Sequence, residues 1–531
     1  YSLPNTLKYL LNVTAIQMIL KNQSKVILRQ NLCMRSMQCL ICMMPLHINY
    51  AHADGSKEFM QSVKSGISQI FVPKPDENYN KADIHTLSNF QLDTSKVQEL
   101  PVIQGSDRTL AFSKNQPTYQ PVSQLSFNET ILRALQRSPD VSQSVSVLAG
   151  QGAYIDVAKA GYYPQLSGGL STGDLSSGER GRQLISLNAT QMLYDFGKVK
   201  SGVDIEQAKL AAEQANVLLS IDNVAYETAN AIVNIKRYQE ITQIAQQQIN
   251  GISRIAEIAN LRAQAGISTQ ADPVQARANL EAAQANLVVQ QTQLKKFQQK
   301  LRTLLGADVT GQDWAIPERV VRDSDLYRDP EFNKIPSMIA AQAQVEVAKF
   351  QKQQSKLTNY PTLSVKGSLS QALNGRNPNN NEDDGMYNSI MLEASSNLYQ
   401  GGAKASQTRA ASYAEEAAKA KVNSVYLDVL DEIRVLREEI ENKQHLMSIL
   451  MARKETSIRT RELYQEQYKL GTRSAVDLLN AEQSIHSAAQ EIENARYDIY
   501  DAIVRYITVT GRSRDLYDLN SIPIQGFEIQ P

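Results

Sequence analysis

Two segments of this chain, 205 residues apart, carry the same landmarks in the same order. Leu193-Tyr194-Asp195-Phe196-Gly197-Lys198 opens one long stretch rich in alanine and glutamine, and Leu398-Tyr399-Gln400-Gly401-Gly402-Ala403 opens the other. The same shift lays Gly266 on Gly471, Asp272 on Asp477, Ala276 on Ala481 and Gly306 on Gly511. A duplication this long builds one architecture from two equivalent halves, so the nature of one half decides the whole.

Each half opens with strand-like alternation. In Gln165 to Thr172, Leu166 and Leu170 alternate with small or polar residues. After the polar turn 173–181, Ile185, Leu187, Ala189 and Leu193 share one face, opposite Ser186, Asn188 and Thr190. In the second copy Leu363, Val365 and Leu369 oppose Ser364, Lys366 and Ser368; Ile390, Leu392, Ala394 and Leu398 oppose Glu393, Ser395 and Asn397. Period-two alternation over about ten residues with one apolar face is the pattern of a barrel strand. The Asn-, Asp- and Gly-rich loop from Asn374 to Gly385 is expected to stay out of any core. Tyr162, Tyr163, Tyr194, Tyr360, Tyr387 and Tyr399 mark the strand ends. That placement suits a membrane interface, and equally the ordinary preference of tyrosine for strands.

Helices dominate what remains. Proline is absent from about Lys198 to Ala263 and from about Ala403 to Leu470. Such runs predict two helices of roughly 100 Å at 1.5 Å per residue. Each breaks at a short turn, Gly266 to Asp272 or Gly471 to Ser474, and a shorter helix returns to Gly306 or Gly511. An earlier helix is predicted to start near Leu125–Glu129, capped by Ser126 or Asn128, to be interrupted at Pro139 and to continue to about Ala160. Two short helices stacked end to end then match one long helix. Small residues crowd the helices (Ala208, Ala211, Ala212, Ala215; Ala411, Ala414, Ala417, Ala418, Ala420). They fit a hollow ring of closely packed helices and, because alanine is the best helix former, an ordinary coiled coil as well.

Composition narrows the setting. Aromatic residues make up 6% of the chain, with one Trp, and mean hydropathy is −0.37. No window approaches the ~18 apolar residues of a membrane-spanning helix, which leaves strands to do any crossing. Cys33, Cys39 and Cys42 lie in one apolar patch with Lys21, Lys25, Arg29 and Arg35 at its start and Ala51-His52-Ala53 after it. A basic region, an apolar region and a small-x-small exit predict a secretory signal within residues 1–53, compact from Met34 to Ala53; a buried N-terminal helix is the other reading. Its removal takes away five basic residues and no acidic one, moving the net charge from +0 to −5. No basic field for nucleic acid is left. No cysteine is left either, which excludes disulfides, zinc fingers, thiol catalysis and a lipid anchor on an N-terminal cysteine.

Strand hairpin, long helix, tight turn and return helix, all duplicated, resemble the TolC-like outer-membrane efflux and secretion channels over residues 125–511. Tyr468-Lys469-Leu470-Gly471-Thr472-Arg473-Ser474-Ala475-Val476-Asp477-Leu478-Leu479-Asn480-Ala481 is similar to the family's second hairpin at the periplasmic tip. Asn494-Ala495-Arg496-Tyr497 is similar to the helix after it, and Gly266-Ile267-Ser268-Thr269-Gln270-Ala271-Asp272 to the first hairpin. Four strands cannot close a barrel, and lipid tolerates no open edge, so other copies must complete the sheet. The resemblance implies an α+β membrane protein whose three protomers give four strands each to a twelve-stranded barrel, with helical hairpins forming a periplasmic tunnel. It implies residues 1–53 as signal and upstream residues, an irregular extension 54–124, a first repeat 125–306 (strands about 163–194, tip turn 264–272) and a linker 307–335 containing Trp314 and Pro317. A second repeat 336–511 (strands about 360–399, tip turn 470–477) and a tail 512–531 complete the chain.

The resemblance also implies a gate. Tyr468 and Arg473 would reach Asp272 on the first hairpin of a neighbouring protomer. Asp477 would line a cation-sensitive ring, and Gly266, Ile267, Ser268, Gly471, Thr472 and Ser474 would meet a periplasmic adaptor, with Arg496 on the helix near the tip. The family often carries a second acid where this chain has Asn480, so the ring holds three carboxylates per trimer rather than six, with weaker attraction for cations. Capping chemistry explains the same acids without a gate: Asp272 before Pro273 has the form of an N-cap followed by a first helical residue, and Ser474 with Asp477 has capping-box spacing. The implied partners are a homotrimer, an adaptor, an inner-membrane ABC or proton-driven transporter and outer-membrane lipid. No nucleic acid and no cofactor are implied. Beyond residues 1–53 the histidines are His85, His445 and His486, with no HExxH, P-loop, GxGxxG after a strand or GxSxG, so no enzyme is predicted. The missing lipidation cysteine leans toward the type I secretion branch. The rival is a periplasmic coiled-coil or adaptor protein without a barrel, which leaves the four alternating strands unexplained.

Overall fold

The computed structural model describes residues 125–173 and 182–528. The expected signal and the extension 54–124 lie outside the described residues. Helix α1 (Phe127–Arg137) and α2 (Pro139–Lys159) precede β1 (Gln165–Gly173) and β2 (Arg182–Tyr194); α3 (Lys198–Gln264) and α4 (Ala271–Leu305) follow. After the linker come α5 (Pro336–Leu357), β3 (Thr362–Asn374), β4 (Met386–Ser395), α6 (Ala403–Lys469) and α7 (Ala475–Val509). Ser126 caps α1 in a reciprocal capping box with Glu129, and Ser138 caps α2 with Pro139 in its first turn. The proline interrupts the helix by starting a new one.

The duplication is legible in the backbone. α3 and α6 each span 67 residues, about 100 Å. Gly197 and Gly402 precede them at φ 90° and 81°; Gly266 and Gly471 follow them at 71° and 77°. These left-handed positions are cheap only for glycine, which is why the repeats share them. The short helices lie end to end along the long ones. Ser144 of α2 meets Ser220 at 2.6 Å and Gln151 reaches Glu206 at 2.7 Å, while Lys300 of α4 meets Glu227 at 3.6 Å. In the second half Lys352 of α5 holds Glu415 at 2.9 Å, and α7 takes over with Arg505–Glu432 at 2.7 Å and Arg453–Glu491 at 3.1 Å.

The four strands form one antiparallel sheet in the order β1-β2-β3-β4. Its register joins the two repeats through β2 and β3 and puts like with like. Leu187 faces Gly168 and Leu369; Ile390 faces Gly367, and Val365 faces Leu392. Directly opposed residues share a face, so Leu166, Leu170, Ile185, Leu187, Val365, Leu369, Ile390 and Leu392 form one apolar sheet surface. Lys366 with Glu393 at 2.8 Å and Ser368 with Ser389 at 2.7 Å lie on the other. The apolar face is bare in one protomer: Leu170 is 72% and Ile390 84% exposed. Among the described residues neither β1 nor β4 has a partner on its outer edge. Tyr194, Phe196 and Tyr360 cluster where β2 ends and β3 begins, with ring centroids 4.8 and 5.1 Å apart. No helix among the described residues is long and apolar enough to cross a membrane.

Three expectations change here. β4 stops at Ser395, opposite Thr362: Pro361, just before Thr362, has no N–H to give, and the Tyr360 N–H is already bonded to the Leu357 carbonyl at 3.1 Å; Leu398 therefore leaves the strand. In the loop 375–385 Asn377 is fully buried. Its amide donates to the Ser370 and Gly385 carbonyls at 3.1 and 2.9 Å, so the polar loop folds over its own asparagine. The alanines differ between halves. Ala208, Ala212 and Ala215 are buried, whereas Ala414, Ala417 and Ala420 are exposed. The cause is asymmetric packing, since α3 has α1, α2, α4, α5 and α7 around it, whereas α6 lies along α5 and α7.

The main core gathers where α1, α2, the middle of α3, the end of α7, the linker and the C-terminal segment meet. It holds Trp314, Tyr506 and Tyr517 with Ile131, Leu135 and Ile232. The linker is stitched to the second half by two arginines. Arg437 donates to the carbonyls of Leu326 (2.6 Å) and Arg328 (2.7 Å), and Arg512 donates to the Ser324 carbonyl (2.6 Å) and pairs with Asp325 (2.7 Å).

Candidate gate at the hairpin tips

Both hairpins turn by the same device. At the end of α3 the Gly266 N–H donates to the Ala263 carbonyl at 3.1 Å and Ile267 to Arg262 at 2.9 Å; at the end of α6, Gly471 donates to Tyr468 at 3.1 Å and Thr472 to Gln467 at 3.0 Å. The paired 5→2 and 6→1 bonds on a left-handed glycine are a Schellman motif. They satisfy the last carbonyls of each helix and reverse the chain within a few residues. Thr472 adds its hydroxyl to the Gln467 carbonyl at 3.0 Å.

The return helices start differently. Ser474 caps α7: its hydroxyl accepts the Asp477 N–H at 3.3 Å and donates to the Asp477 carboxylate at 2.9 Å. That half of the capping expectation holds. The other does not, because α4 starts at Ala271, with Gln270 before it making no side-chain cap. Asp272 lies inside the first turn, its N–H bonded to the Thr269 carbonyl at 3.3 Å. Pro273 is tolerated one residue further in because N–H groups of the first turn lack intrahelical acceptors. Asp272 is therefore free of the capping role.

A second apolar cluster fixes the tips to one another. Ile252, Ile255 and Ala259 of α3 pack with Ala276 and Ala283 of α4, Tyr468 of α6, and Ala475, Leu478 and Leu479 of α7. Tyr468 is only 4% exposed, yet its hydroxyl has no hydrogen-bond partner among the described residues. Burial holds its phenol above the ordinary value; Arg262 offsets part of the rise and Asp272 adds to it. The structure thus brings Tyr468 and Asp272 of one chain into each other's field.

Arg473 points elsewhere. Its Nε donates to Gln467 at 2.9 Å, its guanidinium lies 4.4 Å over the Tyr464 ring, and Asp477 is 3.7 Å away. Both members of the Arg473–Asp477 pair are more than a third exposed, so the pair is weak and Arg473 is available to a stronger partner. Ile267 and Leu470 project into solvent, beside the exposed Gly266, Gly471, Thr472 and Ser474; Ser268 is half-buried.

Arg496 does not belong to the tip. It stands 21 residues into α7, about 30 Å away at 1.5 Å per residue, and pairs with Glu493 at 3.0 Å. Similarity along one strip of sequence groups residues that the straight helix separates. The residue that sequence reasoning missed is Arg262. It sits over Tyr468, 206 positions later, and its one local signal was a basic side chain in the last turn of a helix, which the helix dipole already explains. Among the described residues no three His, Cys, Asp or Glu side chains are grouped to hold a metal ion.

Comparison with known proteins agrees with this architecture. Residues 130–307 and 333–512 each match the family described as outer membrane efflux protein. The outer membrane protein TolC of Salmonella enteritidis is 25% identical over 427 residues, spanning 75% of this chain and 86% of that protein. The alkaline protease secretion protein AprF of Pseudomonas aeruginosa is 23% identical over 342 residues, 60% of this chain and 68% of that protein. The crystal structure of the outer membrane protein VceC from Vibrio cholerae shares the fold with TM-score 0.62 and 18% identity, covering 72% of this chain and 96% of that one.

Proposed function

Because this chain belongs to the outer membrane efflux protein family, and is thereby the outer-membrane exit duct of an export system with its tunnel in the periplasm, we propose that the tip hairpins are its gate. Three copies supply twelve strands to one barrel, which covers both open sheet edges and turns the apolar face to lipid. Helix α6, bare on the side away from α5 and α7, meets the next copy. At the tips Tyr468 and Arg473 latch onto Asp272, with Arg473 leaving Gln467 and Asp477 to reach a neighbouring protomer. The family is one of channels and not of enzymes, so in this reading the duct is passive. Its energy comes from an inner-membrane transporter, and a periplasmic adaptor docking on Ile267, Leu470 and the exposed turn residues opens it by binding the open form better.

The observation that carries the latch is the buried Tyr468 hydroxyl without a partner. An orphan hydroxyl is a liability, and replacing it with hydrogen is neutral or stabilising; a hydroxyl satisfied in the trimer is missed when removed. Tyr468→Phe combined with Arg473→Ser is therefore expected to raise single-channel conductance in planar bilayers several-fold. An arginine–carboxylate contact with a phenol hydrogen bond holds a few kcal/mol at most when partly desolvated. Unchanged conductance in the double variant removes the latch. In the same bilayers Asp477 is expected to give only weak block by trivalent cations, since the ring holds three carboxylates rather than six and Ser474 already engages each of them; equal block of wild type and Asp477→Ala eliminates the ring.

For cargo, the secretion branch is favoured by the absence of cysteine beyond residue 53 and by similarity to a relative named for protease secretion. A strain lacking its own duct distinguishes the cases: restored protein secretion supports this branch, and restored drug resistance alone rejects it.

A further inference from the structure

Arg262 stands at the tip, in the last turn of α3. Its backbone carbonyl accepts the N–H groups of Ile267 at 2.9 Å and Ser268 at 3.3 Å, closing the first hairpin. Its side chain reaches across to the second. Nη1 donates to the Tyr468 carbonyl at 3.1 Å, and the guanidinium carbon stands 4.7 Å over the Tyr468 ring. Nη2 lies 3.8 Å from where a Cβ on Gly471 would be. One residue thus closes one hairpin through its main chain and holds the other through its side chain. It grips Tyr468 by ring and carbonyl, leaving the hydroxyl alone.

We propose that Arg262 is an intrachain strut that makes the two tip hairpins of a protomer move as one unit and sets the position of Tyr468 for closure. It is a positioning residue, and the inference rests on the gate reading above. The second hairpin cannot swing away until the guanidinium leaves both the ring and the carbonyl. Lysine does not replace it: an ammonium is a point charge without a plane to stack while it donates. Gly471 suits the arrangement by its left-handed turn, and Nη2 packs beside it at ordinary contact distance.

The test compares purified full-length wild type, Arg262→Ala and Arg262→Lys in planar bilayers and on unboiled gels. Both variants are expected to keep the heat-resistant oligomer band and to pass several-fold more mean current per inserted channel. Because Tyr468→Phe removes the hydroxyl that Arg262 positions, Arg262→Ala is expected to add less current on that background than on the wild type, a result that general loosening of the tip would not give. Wild-type current in Arg262→Ala overturns the strut, and so does an increase of undiminished size in the Tyr468→Phe background. If Arg262→Ala does not assemble, Arg262→Lys, which keeps bulk and charge, is read in its place, and wild-type current in it is equally fatal. A wild type that forms no channel sinks the gate reading itself, an outcome distinct from a conducting wild type with an indifferent Arg262.

Discussion

Leu187→Arg is expected to abolish the heat-resistant oligomer in outer membranes, while Asn188→Arg, its immediate neighbour, leaves it in place. Leu187 sits near the middle of β2, opposite Gly168 on one side and Leu369 on the other, all on the apolar face. Asn188 pairs with Ser167 and Ser368 on the polar face. If the apolar face meets lipid, an arginine at mid-strand costs about 2–4 kcal/mol per copy, and about 6–12 kcal/mol over three copies of a closed barrel. That is comparable to the whole stability of an ordinary domain. On the polar face the same charge meets water in the lumen beside Lys366 and Glu393, at little cost. Gel mobility of outer membranes with and without boiling reads the result. Equal oligomer bands in the two variants would mean that the leucine face is not in lipid, and a periplasmic coiled-coil protein would then be the better account.

The contrast between Leu187 and Asn188 is legible in the amino-acid order alone, because a strand's faces alternate with period two and one face had to differ from the other. The long helices are legible for a similar reason: no proline stands between Lys198 and Ala263 or between Ala403 and Leu470, and a glycine stands at each end. Sequence logic fails where distance along the chain hides distance in space. Leu398 continues the alternation of β4 on paper, but the ladder ends where Pro361, without an N–H, precedes β3. Arg496 is expected on the helix near the tip and stands far up α7. Asp272 before Pro273 has the form of a cap, yet the helix starts one residue earlier. Asn377 belongs to a loop too polar for a core and is buried by that loop's own folding. Arg262 and Tyr468 carry no mutual signal across 206 positions; only the packing of the two hairpin tips against each other joins them.

Asp222→Asn is expected to stabilise the protein at neutral pH and to flatten its stability between about pH 4 and pH 6. Asp222, at mid-α3, is 2% exposed. It accepts a hydrogen bond from the hydroxyl of Ser513, just after the second repeat, and its other oxygen has no partner among the described residues. Burial raises its pKa from 3.8 to about 6, against the opposing pull of the Arg514 charge and the Ser513 bond. Tyr517, also buried, is pushed up by burial first and by Asp222 second. With the folded pKa above the unfolded one, the folded state binds more protons than the unfolded between the two values. Stability is therefore highest below about pH 4, falls as pH rises to about 6 and stays lower beyond. At 1.36 kcal/mol per unit the difference is ~3 kcal/mol per protomer at pH 7. Asparagine keeps an acceptor for Ser513 and carries no charge, so it mimics the protonated acid. Denaturant midpoints of the two proteins should coincide near pH 4 and diverge by pH 7 in favour of the variant. Parallel curves across that range would mean that Asp222 stays ionised in the fold, with the Arg514 charge outweighing burial where the two repeats are tied together.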